Sequence, residues 1–162
     1  MILVTLGTQD KDFSRLLKAV EKQIKKGNIK EKVIAQIGTT KYESEFMETF
    51  DLIPADKFND LMSECRILIT HGGVGSILAG LKNGKKVIAA ARLSKYKEHV
   101  NDHQLQIIKK FTKEGYILEL KDFDKLDKIL KKAETFKPKK YVSNTSNMIK
   151  LIEDYIDNYD KK

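Results

Sequence analysis

Ile67-Leu68-Ile69-Thr70-His71-Gly72-Gly73-Val74-Gly75-Ser76 is the stretch that decides the fold. Its first four residues are apolar or β-branched without a polar alternation. A strand of that kind is buried on both faces, as in the middle of a parallel sheet. Glycines stop it at Gly72-Gly73, and residues 76–82 then read as a helix ending near Gly84, where glycine suits the C′ position. Strand, glycine turn and helix in this order form one unit of a sheet covered by helices.

The same alternation extends both ways. Downstream, residues 87–91 read as a strand and residues 92–104 as a polar loop. A helix over 101–113 stops at Gly115, a strand follows over 116–120, and a helix over 123–132 precedes the break at Pro138. A last helix is expected over 144–159, with Met148, Ile149, Leu151, Ile152, Tyr155, Ile156 and Tyr159 on a broad apolar face. Upstream, residues 2–6 form a short β-rich run. Phe13, Leu16, Leu17, Val20 and Ile24 then recur at helical steps. Residues 32–37 read as a strand closed by Gly38; residues 46–53 leave room for a short strand before Pro54; Asp56 is the expected N-cap of a helix through Phe58, Leu61 and Met62. The prediction is an α/β, Rossmann-like doubly wound parallel sheet in a single domain spanning 1–162.

Composition narrows the function. The chain carries a net charge of +8, but Arg15, Arg66 and Arg92 are its only arginines and it has no Trp. Sequence-specific nucleic-acid readers rely on arginine forks and stacking aromatics, so no nucleic-acid partner is expected. A lysine-rich surface suits solvent, or attraction to anionic lipid at about 1 kcal/mol per well-placed lysine. No apolar run approaches a membrane span, and the first residues have no basic leader, so a cytoplasmic location is expected. The single cysteine, Cys65, is expected to be a buried small hydrophobe.

Ligands of open parallel sheets bind outside the carboxyl ends of the strands, and three segments fall there. In the first, Gly7 allows close approach of a ligand to backbone, and Thr8 is expected at a helix N-terminus; a plain turn explains both equally well. In the second, Gly72, Gly73, Gly75 and Ser76 suggest a phosphate cradle, and His71 beside them reads either as a ligand-facing group or as a satisfied core histidine. It is neither a P-loop, lacking GK[ST], nor a dinucleotide fingerprint, since Leu78 stands where the third glycine belongs. The third runs from Arg92 to Gln104 and gathers Glu98, His99, Asn101, Asp102 and His103 at a helix start. Asn101 or Asp102 suffices to cap that helix, which leaves the histidines and Gln104 for the hydroxyls and diphosphate of a ligand. His99 and His103 stand at i, i+4 without a third ligand, so no metal is expected.

Gly7-Thr8, then His71-Gly72-Gly73-x-Gly75-Ser76-Ile77-Leu78, then His99-x-Asn101-Asp102-His103-Gln104 together resemble the carboxyl-terminal, donor-binding half of family 28 glycosyltransferases. The likeness covers nearly the whole chain. It is greatest to stand-alone versions: the soluble subunit that adds the second GlcNAc to dolichol-linked sugar, and bacterial capsule or exopolysaccharide subunits that transfer galactose. The resemblance implies one half of a GT-B enzyme and an inverting, metal-independent transfer from a UDP-sugar without further cofactor. It also implies a membrane-anchored partner that binds a lipid-linked sugar acceptor and holds this chain at the inner face of the membrane. On this likeness the diphosphate lies at 72–76, the uracil near Phe58, and the donor sugar's hydroxyls at His103 and Gln104. The general base falls to the partner, with Glu98 and His99 as substitutes here. Many members carry a glutamate for the ribose where this chain has Ala79. That departure keeps open an alternative, a non-catalytic stabilising or enhancer subunit of a membrane glycosyltransferase.

Overall fold

The computed structural model describes residues 1–142. The helix expected over 144–159 lies outside the described residues. Six strands, β1 (Ile2–Thr5), β2 (Val33–Gln36), β3 (Glu48–Phe50), β4 (Ile67–His71), β5 (Lys86–Ala90) and β6 (Leu118–Glu119), form one sheet in the order β3-β2-β1-β4-β5-β6. Every pairing is parallel. The connecting helices are α1 (Ser14–Lys25), α2 (Ala55–Glu64), α3 (Val74–Lys82), α4 (His103–Lys113) and α5 (Leu126–Thr135).

Side-chain alternation along the central strands divides the core. Ile2, Val4, Ile67, Ile69, Ile88 and Ala90 face α1 and α5 through Leu16, Leu17, Val20, Leu126 and Leu130. Leu3, Leu68, Val87 and Ala89 face α2, α3 and α4 through Met62, Ile77, Leu81, Ile107, Ile108 and Phe111. Strands with apolar residues on both sides need helices on both faces, and the sheet is doubly wound as its sequence predicts. Cys65 is buried, its thiol donates to the Met62 carbonyl at 3.3 Å, and burial pushes its pKa up.

Several predicted helix starts are corrected. The loop after β1 runs on to Ser14: Phe13 is fully buried, non-helical at φ −136° and ψ 37°, and held by its N–H on Thr40 Oγ1 at 3.1 Å. Thr8 is therefore exposed in a loop and not at a helix N-terminus. Asp56 does not cap α2; the extended Pro54 precedes the helix, and Asp56 sits in its first turn, where a negative charge meets the helix dipole favourably. Helix α3 begins two residues before the predicted Ser76. Helix α4 begins at His103 and not at 101, because side chains tie residues 99–102 into a turn. The Asn101 N–H donates to His99 Nδ1 at 3.3 Å, and the His103 N–H donates to Asn101 Oδ1 at 3.1 Å.

In this strand order the chain leaves β1 in one direction and β4 in the other. The crevice between their carboxyl ends is the topological switch point, where such sheets bind ligands. Gly7 and His71 stand at its two sides.

Candidate functional site at the ends of β1, β4 and β5

His71 ends β4 and packs between glycines. A Cβ on Gly7 would lie 2.3 Å from His71 Nε2, and one on Gly73 would lie 2.3 Å from His71 Cε1. Gly7 also has φ +75°, a conformation that side chains resist. A Cβ on Gly72 would lie 2.5 Å from Gln104 Cβ. These glycines are needed first for the close packing of His71 and Gln104. Gly75 differs, with open space around its absent Cβ.

Gln104, at the start of α4, joins two strand ends. Its Oε1 accepts the Gly72 N–H and the Arg92 N–H, both at 3.0 Å, and its Nε2 lies 3.2 Å from His71 Nδ1. Arg92, 1% exposed, reaches under the loops. Its guanidinium donates to the carbonyls of Leu6 at 2.7 Å, Lys11 at 2.8 Å and Glu98 at 3.1 Å, and lies 4.9 Å from the centre of the Phe13 ring. Thus β1, β4, β5 and α4 are tied by two buried polar side chains. Burial lowers the Arg92 pKa.

Glu98 is also buried, and its carboxylate receives a two-pronged bond from Arg15, at 2.7 and 2.9 Å, plus the Leu93 N–H at 3.0 Å. The Arg15 guanidinium lies between the rings of Tyr96, at 4.2 Å, and Phe123, at 3.7 Å. Arg15 was not singled out by sequence. One signal was present: it is one of only three arginines in a chain rich in lysine. Asp102 accepts the Ser94 N–H at 2.9 Å, and His103 is buried. The loop from 92 to 102 is therefore anchored at Glu98, Asn101 and Asp102.

At α3 the N-cap is Gly73, which has no side chain to bond the first helical N–H groups. The Ile77 N–H bonds the Gly73 carbonyl, so the donors of Val74, Gly75 and Ser76 precede the helical ladder. They and the positive end of the dipole form a place for an anion beside His71. Phe58 lies on α2, half-buried against the core on that face. None of the hydrogen bonds that tie the group together involves α2.

Burial first, then the charge of Arg92 and that of His99, pushes His71 down to about 4. His99 is lowered as well, by burial and then by Arg92 and His103. Above pH 6.5 both folded and unfolded His71 are neutral, and stability does not depend on it. Between 6.5 and about 4 the unfolded chain takes up a proton that the folded one refuses. Stability is expected to fall across that window by about 3 kcal/mol from His71 alone. Urea unfolding from pH 8 to 4 reads this; His71→Asn is expected to flatten much of the slope, and an unchanged slope would rule His71 out as its source.

Among the described residues no helix is long and apolar enough to cross a membrane, and no cluster of His, Cys, Asp or Glu is arranged to hold a metal. No curated protein matches the chain. In fold it is similar to the NMR solution structure of ALG13, at 20% identity and a TM-score of 0.61 over 93% of this chain and 92% of that one. It is also similar to the glycotransferase of kitacinnamycin, at 15% identity and a TM-score of 0.57, covering 94% of this chain and 37% of that one. The family model for the glycosyltransferase family 28 C-terminal domain matches residues 1–159. With that match over nearly its full length, and a doubly wound sheet whose glycine turn and polar loop meet at the switch point, the chain belongs to the glycosyltransferase family 28 C-terminal domain family.

Proposed function

We propose that this chain is the donor-binding, catalytic subunit of an inverting hexosyltransferase. It holds a UDP-sugar with the diphosphate at the first turn of α3. A membrane-anchored partner brings a polyprenyl-diphosphate-linked sugar, keeps the complex at the cytoplasmic face of the membrane, and makes capsule or exopolysaccharide precursors. The observation that carries the reading is the uncapped N-terminus of α3 beside a neutral His71 at the β1/β4 crevice.

In this reading the acceptor hydroxyl attacks C1 of the sugar, the C1–O bond to the diphosphate breaks, and UDP leaves with the electron pair. Negative charge then grows on the diphosphate. The N–H groups of Val74, Gly75 and Ser76 are already oriented toward it, so their stabilisation costs no reorganisation during the reaction. The loop from Arg92 to His103 borders the donor sugar, with His99, Asn101 and His103 as the polar groups toward it. Arg92 and Gln104 serve from beneath, since their bonds run to backbone and to His71. Gly7 and Thr8 form the opposite wall, and Phe58 the uracil side.

Glu98 does not suit the role of general base, because Arg15 and the Leu93 N–H occupy its carboxylate. His99 accepts the Asn101 N–H at Nδ1, which leaves the proton on Nε2 in the neutral ring. That ring is a donor in this geometry, and the base is assigned to the acceptor-binding partner. Ala79 gives the ribose no carboxylate, and Glu98 is not free to replace one. That observation favours, as the second reading, a subunit that stabilises its membrane partner without binding donor tightly.

Thermal shifts with UDP, UDP-Gal, UDP-Glc, UDP-GlcNAc, ADP and GDP test the proposal. A ligand of the folded state adds about 2.7 kcal/mol at a hundredfold excess over Kd. A shift with uridine nucleotides alone is expected. No shift, both for the chain and for its co-expressed pair, favours the second reading. Gly75→Ala sharpens the test: its Cβ has open space, and alanine favours helix over glycine by about 0.8–1 kcal/mol. The variant is expected to be at least as stable as wild type while binding UDP several-fold more weakly, because the methyl crowds the anion. Unchanged affinity would move the diphosphate away from α3.

A further inference from the structure

The orientation of the Gln104 amide is set by groups that can only donate. The Gly72 and Arg92 N–H groups both point at one atom, at 3.0 Å each, so that atom is the amide oxygen. The other end is then the NH2, which can only donate, and it lies 3.2 Å from His71 Nδ1. Nδ1 must therefore accept, and the proton of the neutral ring sits on Nε2. The Cε1–Nε2 edge is lodged between Gly7 and Gly73, the two sides of the β1/β4 crevice. Among the described residues the ring's hydrogen bond is the one at Nδ1.

We propose that Gln104 is a positioning residue that fixes His71 as the Nε2–H tautomer and so holds a neutral donor at the crevice beside the first turn of α3. Its value to a ligand rests on the donor-site reading above. The same amide sets the spacing of the β4 and β5 ends, so the strand ends and the proton position depend on one side chain. The device adds a donor for an anionic oxygen without placing a second cation beside Arg92. Burial of the imidazole works in the same direction, by disfavouring the charged ring.

Long-range proton–nitrogen NMR of the labelled chain at pH 8, without nucleotide, reads the tautomer of His71. Wild type is expected to carry the proton on Nε2 with Nδ1 bare. Gln104→Glu keeps an oxygen for the Gly72 and Arg92 N–H groups but has no N–H to give, so Nδ1 is expected to become protonated. UDP titration of the same variant is expected to show a roughly tenfold or greater rise in Kd, the scale of one hydrogen bond to a charged group. In a His71→Asn background, Gln104→Glu is expected to change Kd by no more than about twofold, since coupled residues are not additive. Wild-type His71 protonated at Nδ1, a tautomer unmoved by Gln104→Glu, or a loss that persists in the His71→Asn background would each overturn the proposal. The expected tautomers with no UDP affinity in wild type would sustain the positioning assignment and overturn the donor-site reading.

Discussion

Arg92→Met is expected to lower the unfolding free energy by about 3–5 kcal/mol, the cost typical of breaking a buried charged network. The residue is 1% exposed, and its guanidinium bonds the carbonyls of Leu6, Lys11 and Glu98. Methionine fills much of the stem's volume but leaves those acceptors without their donor, and each buried unsatisfied group costs about 1–3 kcal/mol. Two effects offset part of the loss. A desolvated cation is removed, and water reaches the Lys11 carbonyl, which is only partly buried. Arg92→Lys is expected to recover only part of the stability, because an ammonium is a point donor and the three carbonyls need a planar fork. Urea unfolding of both variants, with UDP affinity measured on the folded fraction, separates the roles. A loss below about 1 kcal/mol with a large drop in affinity would place the guanidinium on the ligand instead of beneath it.

Gly7→Ala is expected to cost about 2–4 kcal/mol and to abolish detectable UDP binding. Holding alanine at φ +75° costs about 1–2 kcal/mol by itself. The larger consequence is steric. The new Cβ would stand 2.3 Å from His71 Nε2, and the ring is held on its other side by Gly73 and at Nδ1 by Gln104. The ring and the loop cannot both keep their places, and overpacking of this kind costs about 1–3 kcal/mol. Either response alters the crevice wall. Thermal unfolding and UDP titration of Gly7→Ala, with Gly75→Ala as the comparison, check this. If Gly7→Ala bound UDP like wild type, the crevice between β1 and β4 would not be the donor site.

Most of the fold was legible because burial writes itself into composition. Residues 67–70 and 87–91 are apolar or β-branched without alternation, and only a strand covered on both faces requires that. Gly84 and Gly115 stop α3 and α4 with positive φ, as their places in the sequence suggest. Element starts were less legible wherever a side chain competed for the backbone. Asn101 and His99 hold a turn that delays α4, and Thr40, twenty-seven residues away, takes the N–H of Phe13, which stays outside the helix.

The candidate site was legible as a set of polar and glycine positions, and its internal division of labour was not. Arg92, Glu98 and Gln104 read from sequence as groups facing a ligand. The fold turns them inward, to partners 86, 83 and 32 residues distant. Gly72, Gly73 and Gly75 suggested a phosphate cradle, and the first two are required first by the packing of an amide and an imidazole. By itself the sequence determined the parallel sheet and the family, because periodicity, glycine placement and motif spacing are local properties of the chain. Only the tertiary structure decided which polar groups are struts and which remain available, and on which nitrogen His71 carries its proton. Hydrogen-bond direction depends on which strand ends meet, and that is a property of the assembled sheet.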